Sequence, residues 1–247
     1  MSNSALIKSS IAKKYYMAAT GLFLCLFLIG HLLGNLQLLG EPSREKAEAF
    51  NAYAYFMTTN PIVKILSYLT YFSILFHAID GIILTVQNKK ARPVQYAYNK
   101  PNENSKPQSR YMAILGSAIL IFIVIHMANF WGKMHFGEIP TFKLNGVEMK
   151  DLYSVVVAFF NHPSFGAIAA ALYVVSMVVL GFHLSHGFKA AFQSLGLNHP
   201  KYKMIIQKSG LAFSIIVPAL FAIIPLFLAF GTNMDGETAK AILDSIK

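Results

Sequence analysis

The sequence predicts an all-α membrane protein in which five transmembrane helices form one bundle and one integral-membrane domain. Three observations lead there. Of its 247 residues, 55% are hydrophobic and only 13% charged, and mean hydropathy is positive, which places the chain in the membrane class. Its long apolar runs, 15–40, 65–88 (broken only by Asp80), 111–132, 152–188 and 209–234, can each supply the roughly 20 residues that cross a bilayer as helix. Lysine and arginine, finally, gather on alternate connections between those runs.

With spans at approximately 15–39, 62–88, 110–131, 164–190 and 206–231, one side of the membrane receives thirteen cations and the single acid Glu103. The other side receives eight cations and nine acids. This positive-inside pattern puts the N-terminus in the cytoplasm and the C-terminus outside. The net charge of +10 is thus explained by topology and lipid contact, and no nucleic-acid partner is expected. The first apolar stretch is too long for a cleaved signal and has no small-x-small site after it, so the first span is expected to stay in the mature protein. Cys25 is the single cysteine, which excludes an internal disulfide, and no Cys-x-x-Cys-His offers covalent haem attachment.

Residues 1–14 read as a short basic arm. The first span carries Gly30-His31 and Gly34-Asn35 near its far end, and Ser43 suits the N-cap of a short interfacial helix through Phe56 before Pro61 opens the second span. That span carries His77, Asp80 and Gly81. Asp80 lies one turn from His77, where it could orient the ring, take part in proton traffic or pair with a cation near the surface, and the pairing is the first expectation. Residues 88–109 are polar and rich in Pro, Asn and Lys, suited to lie against a soluble partner. The third span places His126 and Asn129 near its outer end, and a connection of about 30 residues follows, with His135 and His162 as interfacial histidines. Asn161-His162-Pro163 marks the entry to the fourth span. That span ends in Gly-Phe-His-Leu-Ser-His-Gly-Phe-Lys at 181–189, where His183 and Gly187 repeat the spacing of His77 and Gly81. The fifth span has no histidine, and its Pro218 and Pro225 should bend it. The tail after Gly231 is polar with a short amphipathic end.

Depth sorts the histidines. Counting about 1.5 Å per residue from the first cytoplasmic charge, His31 lies roughly 25 Å beyond Lys14 and His126 roughly 24 Å beyond Arg110. His77 lies roughly 18 Å from Lys89 and His183 roughly 9 Å from Lys189, both in the cytoplasmic half. Four histidines on four helices thus form two levels, odd helices outside and even helices inside. Zinc would want three or four ligands at one depth, and a proton relay would want more carboxylates. Two b-type haems, each held by two axial imidazoles, account for the pattern: His31 with His126, and His77 with His183. Six-coordinate iron without an open position serves electron transfer. His183 and His186 share a helix face and periodicity does not choose between them; the repeat with His77 and Gly81 favours His183. His186 then sits near the haem propionates, a quinone head group or simply the interface.

The chain resembles the cytochrome b membrane-anchor subunits of succinate dehydrogenases and fumarate reductases, in the single-polypeptide, five-helix, di-haem class. The likeness runs from Lys13-Lys14 through Gly30-His31, His77-Ala-Ile-Asp-Gly81, Asn88-Lys-Lys-Ala-Arg-Pro93 and the 181–187 motif to Gln193-Ser-Leu-Gly196. The resemblance implies the same ligand pairing that depth gives. It also implies a flavoprotein subunit and an iron-sulfur subunit on the cytoplasmic face, menaquinone as the lipid-phase partner, and a bacterial cytoplasmic membrane as the location. The chain would then be the electron-transfer part of a succinate dehydrogenase, without succinate chemistry of its own. His186, Asp80 and Glu48 are the candidates for outer-shell or quinone contacts; Glu48, with Glu41 and Glu45, is also read as a plain solvated charge. Where some fumarate reductases of the class place a glutamate two residues before the fourth-span ligand, this chain has Gly181, which favours succinate oxidation. Three other readings remain: a fumarate reductase anchor running in reverse, the cytochrome b subunit of a hydrogenase or formate dehydrogenase, and a transporter in which the histidines, prolines and Asp80 line a substrate path.

Overall fold

The apolar runs become five long helices in the computed structural model, which describes residues 9–91 and 100–244. Lys8 and the rest of the basic arm before it, the stretch 92–99 with Arg92 and Pro93, and Lys247 lie outside the described residues.

Helix α1 (Ser10–Asn35) starts under a cap from Ser9, whose Oγ accepts from the Ala12 N–H at 3.1 Å, and runs into a 3₁₀ turn at Leu36–Leu38. Helix α2 (Arg44–Thr59) begins at the expected cap: Ser43 Oγ accepts from the Lys46 N–H at 3.2 Å. Pro61 takes the first position of α3 (Pro61–Lys90), where its missing N–H costs nothing, while Asn60 Oδ1 accepts from the N–H groups of Ile62 and Val63. The polar connection after α3 contains two single turns, α4 (Pro101–Asn104) and α5 (Pro107–Arg110), each opened by proline. Helix α6 (Met112–His126) passes into a π-helical segment (Met127–Gly132) and then α7 (Lys133–Phe136), making one continuous apolar span. The fourth and fifth spans are α9 (Gly166–Ser194) and α10 (Pro200–Phe230). Gly196, at φ +75°, closes α9: the Leu197 N–H reaches back to the Phe192 carbonyl at 2.9 Å in a left-handed cap that favours glycine. Pro218 and Pro225 lie inside α10, which continues through both.

Several helices extend past the expected spans, because Lys13, Lys14, Lys89 and Lys201 keep helical backbone beyond the apolar window. Lysine is a good helix former whose long stem lets the ammonium reach water. The faces of the five long helices are those of a protein solvated by hydrocarbon. Leu26, Ile65, Ile121, Val175 and Ile215, one from each span, are all more than half exposed, and in water such surface would drive aggregation. Five helices long and apolar enough to cross a bilayer make this a multi-pass membrane protein.

The connection after the third span is more structured than the sequence reading expected. Strands β1 (Thr141–Leu144) and β2 (Val147–Lys150) pair antiparallel, Thr141 opposite Lys150 and Leu144 opposite Val147. Asn145 and Gly146 between them both have positive φ, 50° and 81°, the two-residue turn that Asn-Gly favours. Helix α8 (Leu152–Asn161) follows as a helix of its own, and six of its residues are buried, Val157 and Ala158 completely. One hairpin thus stands among the described residues of an otherwise helical chain, and the connection of about 30 residues also holds a helix that packs against α2.

The described chain divides into two compact units. One draws on the described residues of Met1–Leu28, Tyr68–Leu120 and Val179–Ile216. Here α9 and α10 approach closely at Gly210, where an added Cβ would lie 2.6 Å from the Phe188 ring. The other unit draws on Ile29–Ser67, Ile121–Val178 and the described residues of Val217–Lys247. Its centre is α8, clamped to α2 by one buried amide. Asn51, 1% exposed, donates to Asp151 Oδ1 at 2.7 Å and accepts from the Tyr153 N–H at 2.8 Å, while Asp151 caps α8 by accepting from the Ser154 N–H. Stripping Asn51 of its amide would leave a carboxylate and a buried N–H short of partners, a loss of roughly 1–3 kcal/mol for each unsatisfied group. Burial, then the Asp151 carboxylate, pushes the Tyr153 hydroxyl above its ordinary pKa. The amphipathic end of the tail is α11 (Gly236–Asp244), which buries Ala239 against Ala158 of α8. Asp235 caps α11, and hydrogen bonds from the Thr238 N–H and hydroxyl hold its carboxyl below the usual carboxylate range.

Candidate functional site

Each unit brings together one pair of histidines from different spans. In the first, His77 of α3 meets His183 of α9, ring centroids 6.2 Å apart and planes at 68°. In the second, His31 of α1 meets His126 of α6, centroids 5.8 Å apart and planes at 83°. These are the pairs that depth along the helices selects. Between the two candidates on α9, it is the His183 ring that meets His77; His186 lies within electrostatic reach of both His183 and Lys189.

The helices position these rings through small residues and local hydrogen bonds. Gly21 of α1 faces His77 so closely that an added Cβ would stand 3.1 Å from Cε1, and Gly116 of α6 faces His183, the same distance being 3.7 Å. Gly81 and Gly187 lie one turn along the histidines' own helices. An added Cβ at these two would meet only the flexible ends of Met17 and Met112. The glycines that adjoin the imidazoles thus lie on the neighbouring helices, where no same-helix periodicity could reveal them. Thr20 Oγ1 stands 3.2 Å from His77 Nδ1. Asn35 Nδ2 donates to the His31 carbonyl at 2.7 Å and lies 3.4 Å from His31 Nδ1.

Aromatic side chains sheathe the second pair. Phe122 and Phe130, one turn either side of His126, have centroids 5.6 and 5.4 Å from its ring. Tyr173 of α9 lies 5.9 Å away and accepts from Asn129 Nδ2 at 3.3 Å, and Phe221 of α10 covers His31 at 5.6 Å. The fifth span, without a histidine, therefore still contributes a wall. The π-helical segment begins at the residue after His126. Its wider turn re-registers the helix so that Phe130 packs with Phe159, Phe160 and Tyr173; such segments are common beside functional residues.

The donor sets bear on what these pairs can hold. Among the described residues no three His, Cys, Asp or Glu side chains converge as a metal site, so a bare ion needing three or four protein donors is not served. A planar cofactor that brings four donors of its own needs only two axial ligands, and two is what each pair supplies. A metal about 2 Å from a nitrogen of each of two facing imidazoles sets the ring centroids roughly 6 Å apart. The observed 5.8 and 6.2 Å agree with that spacing. Moreover, Nδ1 of His126 and of His183 is buried without a hydrogen-bond partner among the described residues, a costly state for a polar atom unless the ring has another task. The residues present fit haem.

The remaining candidates stand apart from the two pairs. Asp80 has His77 within electrostatic reach and makes no ion pair among the described residues, so the surface pairing expected for it is not found there. Glu48 is bound to Arg44 on its own helix at 2.7 Å. His135 and His162 stack locally on Trp131 and Phe165.

Fold and site together define a helical protein with five membrane-length apolar helices and two cross-helix histidine pairs. No family model, curated protein or solved structure matches the chain.

Proposed function

We propose that the chain is the membrane-anchor cytochrome b subunit of a succinate:quinone oxidoreductase, conducting electrons from an iron-sulfur subunit to menaquinone. The observation that carries this reading is the meeting of four histidines from four spans as two imidazole pairs, each at a separation suited to one metal atom. Haem bound there would supply reversible one-electron transfer. His31 with His126, and His77 with His183, would hold the two haems. Phe122, Phe130, Tyr173 and Phe221 would exclude water from the first of these pairs, while Gly21 and Gly116 give the second its seat between helices. The motifs quoted above supply the assignment to succinate rather than to another electron donor, together with the flavoprotein and iron-sulfur partners, and Gly181 favours oxidation of succinate over reduction of fumarate.

A reduced-minus-oxidised spectrum of the purified chain tests the haem assignment. The expected result is a b-type spectrum with about two haems per chain by pyridine haemochrome; no visible absorption would instead support the transporter reading. Co-purification of a flavoprotein carrying covalent flavin is expected, and a hydrogenase or formate dehydrogenase partner in its place would redirect the proposal. Topology has its own check. Reporter fusions in the 88–109 connection should report cytoplasm and fusions after Thr232 the outside, and reversal at either site would refute the orientation.

A further inference from the structure

We infer that Thr20 is a positioning residue for His77, fixing which ring nitrogen carries the proton and so which one is free to coordinate; this rests on the haem reading above. The geometry leaves the hydroxyl little choice. Thr20 Oγ1 has one proton, and its closest acceptor is the Tyr16 carbonyl at 2.7 Å, with the Met17 carbonyl at 3.2 Å. A threonine back-bonded to the carbonyl four residues earlier has spent its proton. What it presents to His77 Nδ1, 3.2 Å away, is a lone pair. The imidazole, whose ring also has the Met17 backbone as a hydrogen-bond partner, therefore donates from Nδ1, and Nε2 is left deprotonated, the form a metal requires.

Gly21 completes the seat. An added Cβ there would lie 3.1 Å from His77 Cε1 and 3.6 Å from Nδ1, so two successive residues of α1 serve the same ring, one by hydrogen bond and the other by absence of bulk. Donation from Nδ1 makes the imidazole a more basic ligand, as a hydrogen-bonded second nitrogen does for metal-bound histidines generally. A more basic ligand favours the oxidised metal. Thr20 should thereby hold the potential of the His77/His183 haem low, with no effect on the haem at His31 and His126.

The test is a potentiometric titration of both haems in membranes containing the whole complex, for the wild type, Thr20→Val and Thr20→Ser. Valine keeps the shape and removes the hydroxyl; serine restores it without the methyl. In Thr20→Val the His77/His183 haem is expected to become easier to reduce, by about tenfold in its reduction equilibrium, which is about 59 mV for one electron. The other haem should not move, and Thr20→Ser should titrate as wild type. Loss of that one haem in Thr20→Val with retention in Thr20→Ser would equally support the assignment, since the pair differs from wild type in opposite groups. An unchanged or lowered potential in Thr20→Val, or a serine variant that behaves like valine, would overturn it. The spectra of the wild type and of His77→Ala judge the parent reading separately: a wild type without two haems, or a His77→Ala protein that keeps both, removes the haem proposal and this one with it.

Discussion

His183→Ala should leave the chain with about one haem where the proposal gives the wild type two, and should stop the proposed electron delivery to quinone, because a noncovalently held cofactor would lose one of its two protein bonds. His186→Ala, three residues further on, should retain both haems with at most a shifted potential. The contrast follows from which ring faces His77: the His183 centroid is 6.2 Å from it, while His186 has Lys189 within electrostatic reach. Pyridine haemochrome quantitation of the two variants decides the matter. A full complement in the His183 variant, or a single haem in the His186 variant, would refute the assignment.

An effect of equal size is expected at the other pair. His31→Ala and His126→Ala should each remove one haem, and it should be the same one, leaving the haem that His183→Ala removes. The two rings lie 5.8 Å apart, although their residues belong to the first and third spans. Spectral titration of each variant gives the answer. If the two variants lose different haems, the pairing fails, even if all four histidines prove to be ligands.

The pairing of these histidines was legible because rise per residue is nearly constant in a membrane helix. A charge at the water line then works as a ruler, and His31 and His126 come out level from sequence alone. Ser43 as a cap, Pro61 as a helix opener and the five apolar runs were legible for similar reasons, each being a local rule of backbone chemistry. The hairpin was legible too, in Asn145-Gly146 flanked by Phe142, Leu144, Val147 and Met149, yet four-residue strands are easily passed over in a chain dominated by helices. Helix α8 was hidden by its composition: Val155, Val156 and Val157 with Phe159 and Phe160 continue the apolar run 152–188, and only Asn161-His162-Pro163 separates them from the following span. Gly21, Gly116, Thr20 and Phe221 could not be found from the sequence, because each serves a histidine on another helix. Which residue faces which across a helix interface is decided by rotation and tilt, and neither is written in one strand of periodicity.

The two histidine pairs also differ in when they can form. Residues are added at about 5–20 per second during synthesis, and a pair cannot close before its later member leaves the ribosome. His126 is made 57 residues before His183, a lead of roughly 3–11 s at that rate. The His31–His126 pair therefore needs only three inserted spans, whereas His77 must wait in the bilayer for the fourth. Asn51 waits for a time between the two, until Asp151 emerges. A nascent chain thus completes its two histidine pairs in sequence, and for a time the His31–His126 pair can exist in a half-built protein whose His77 still has no partner.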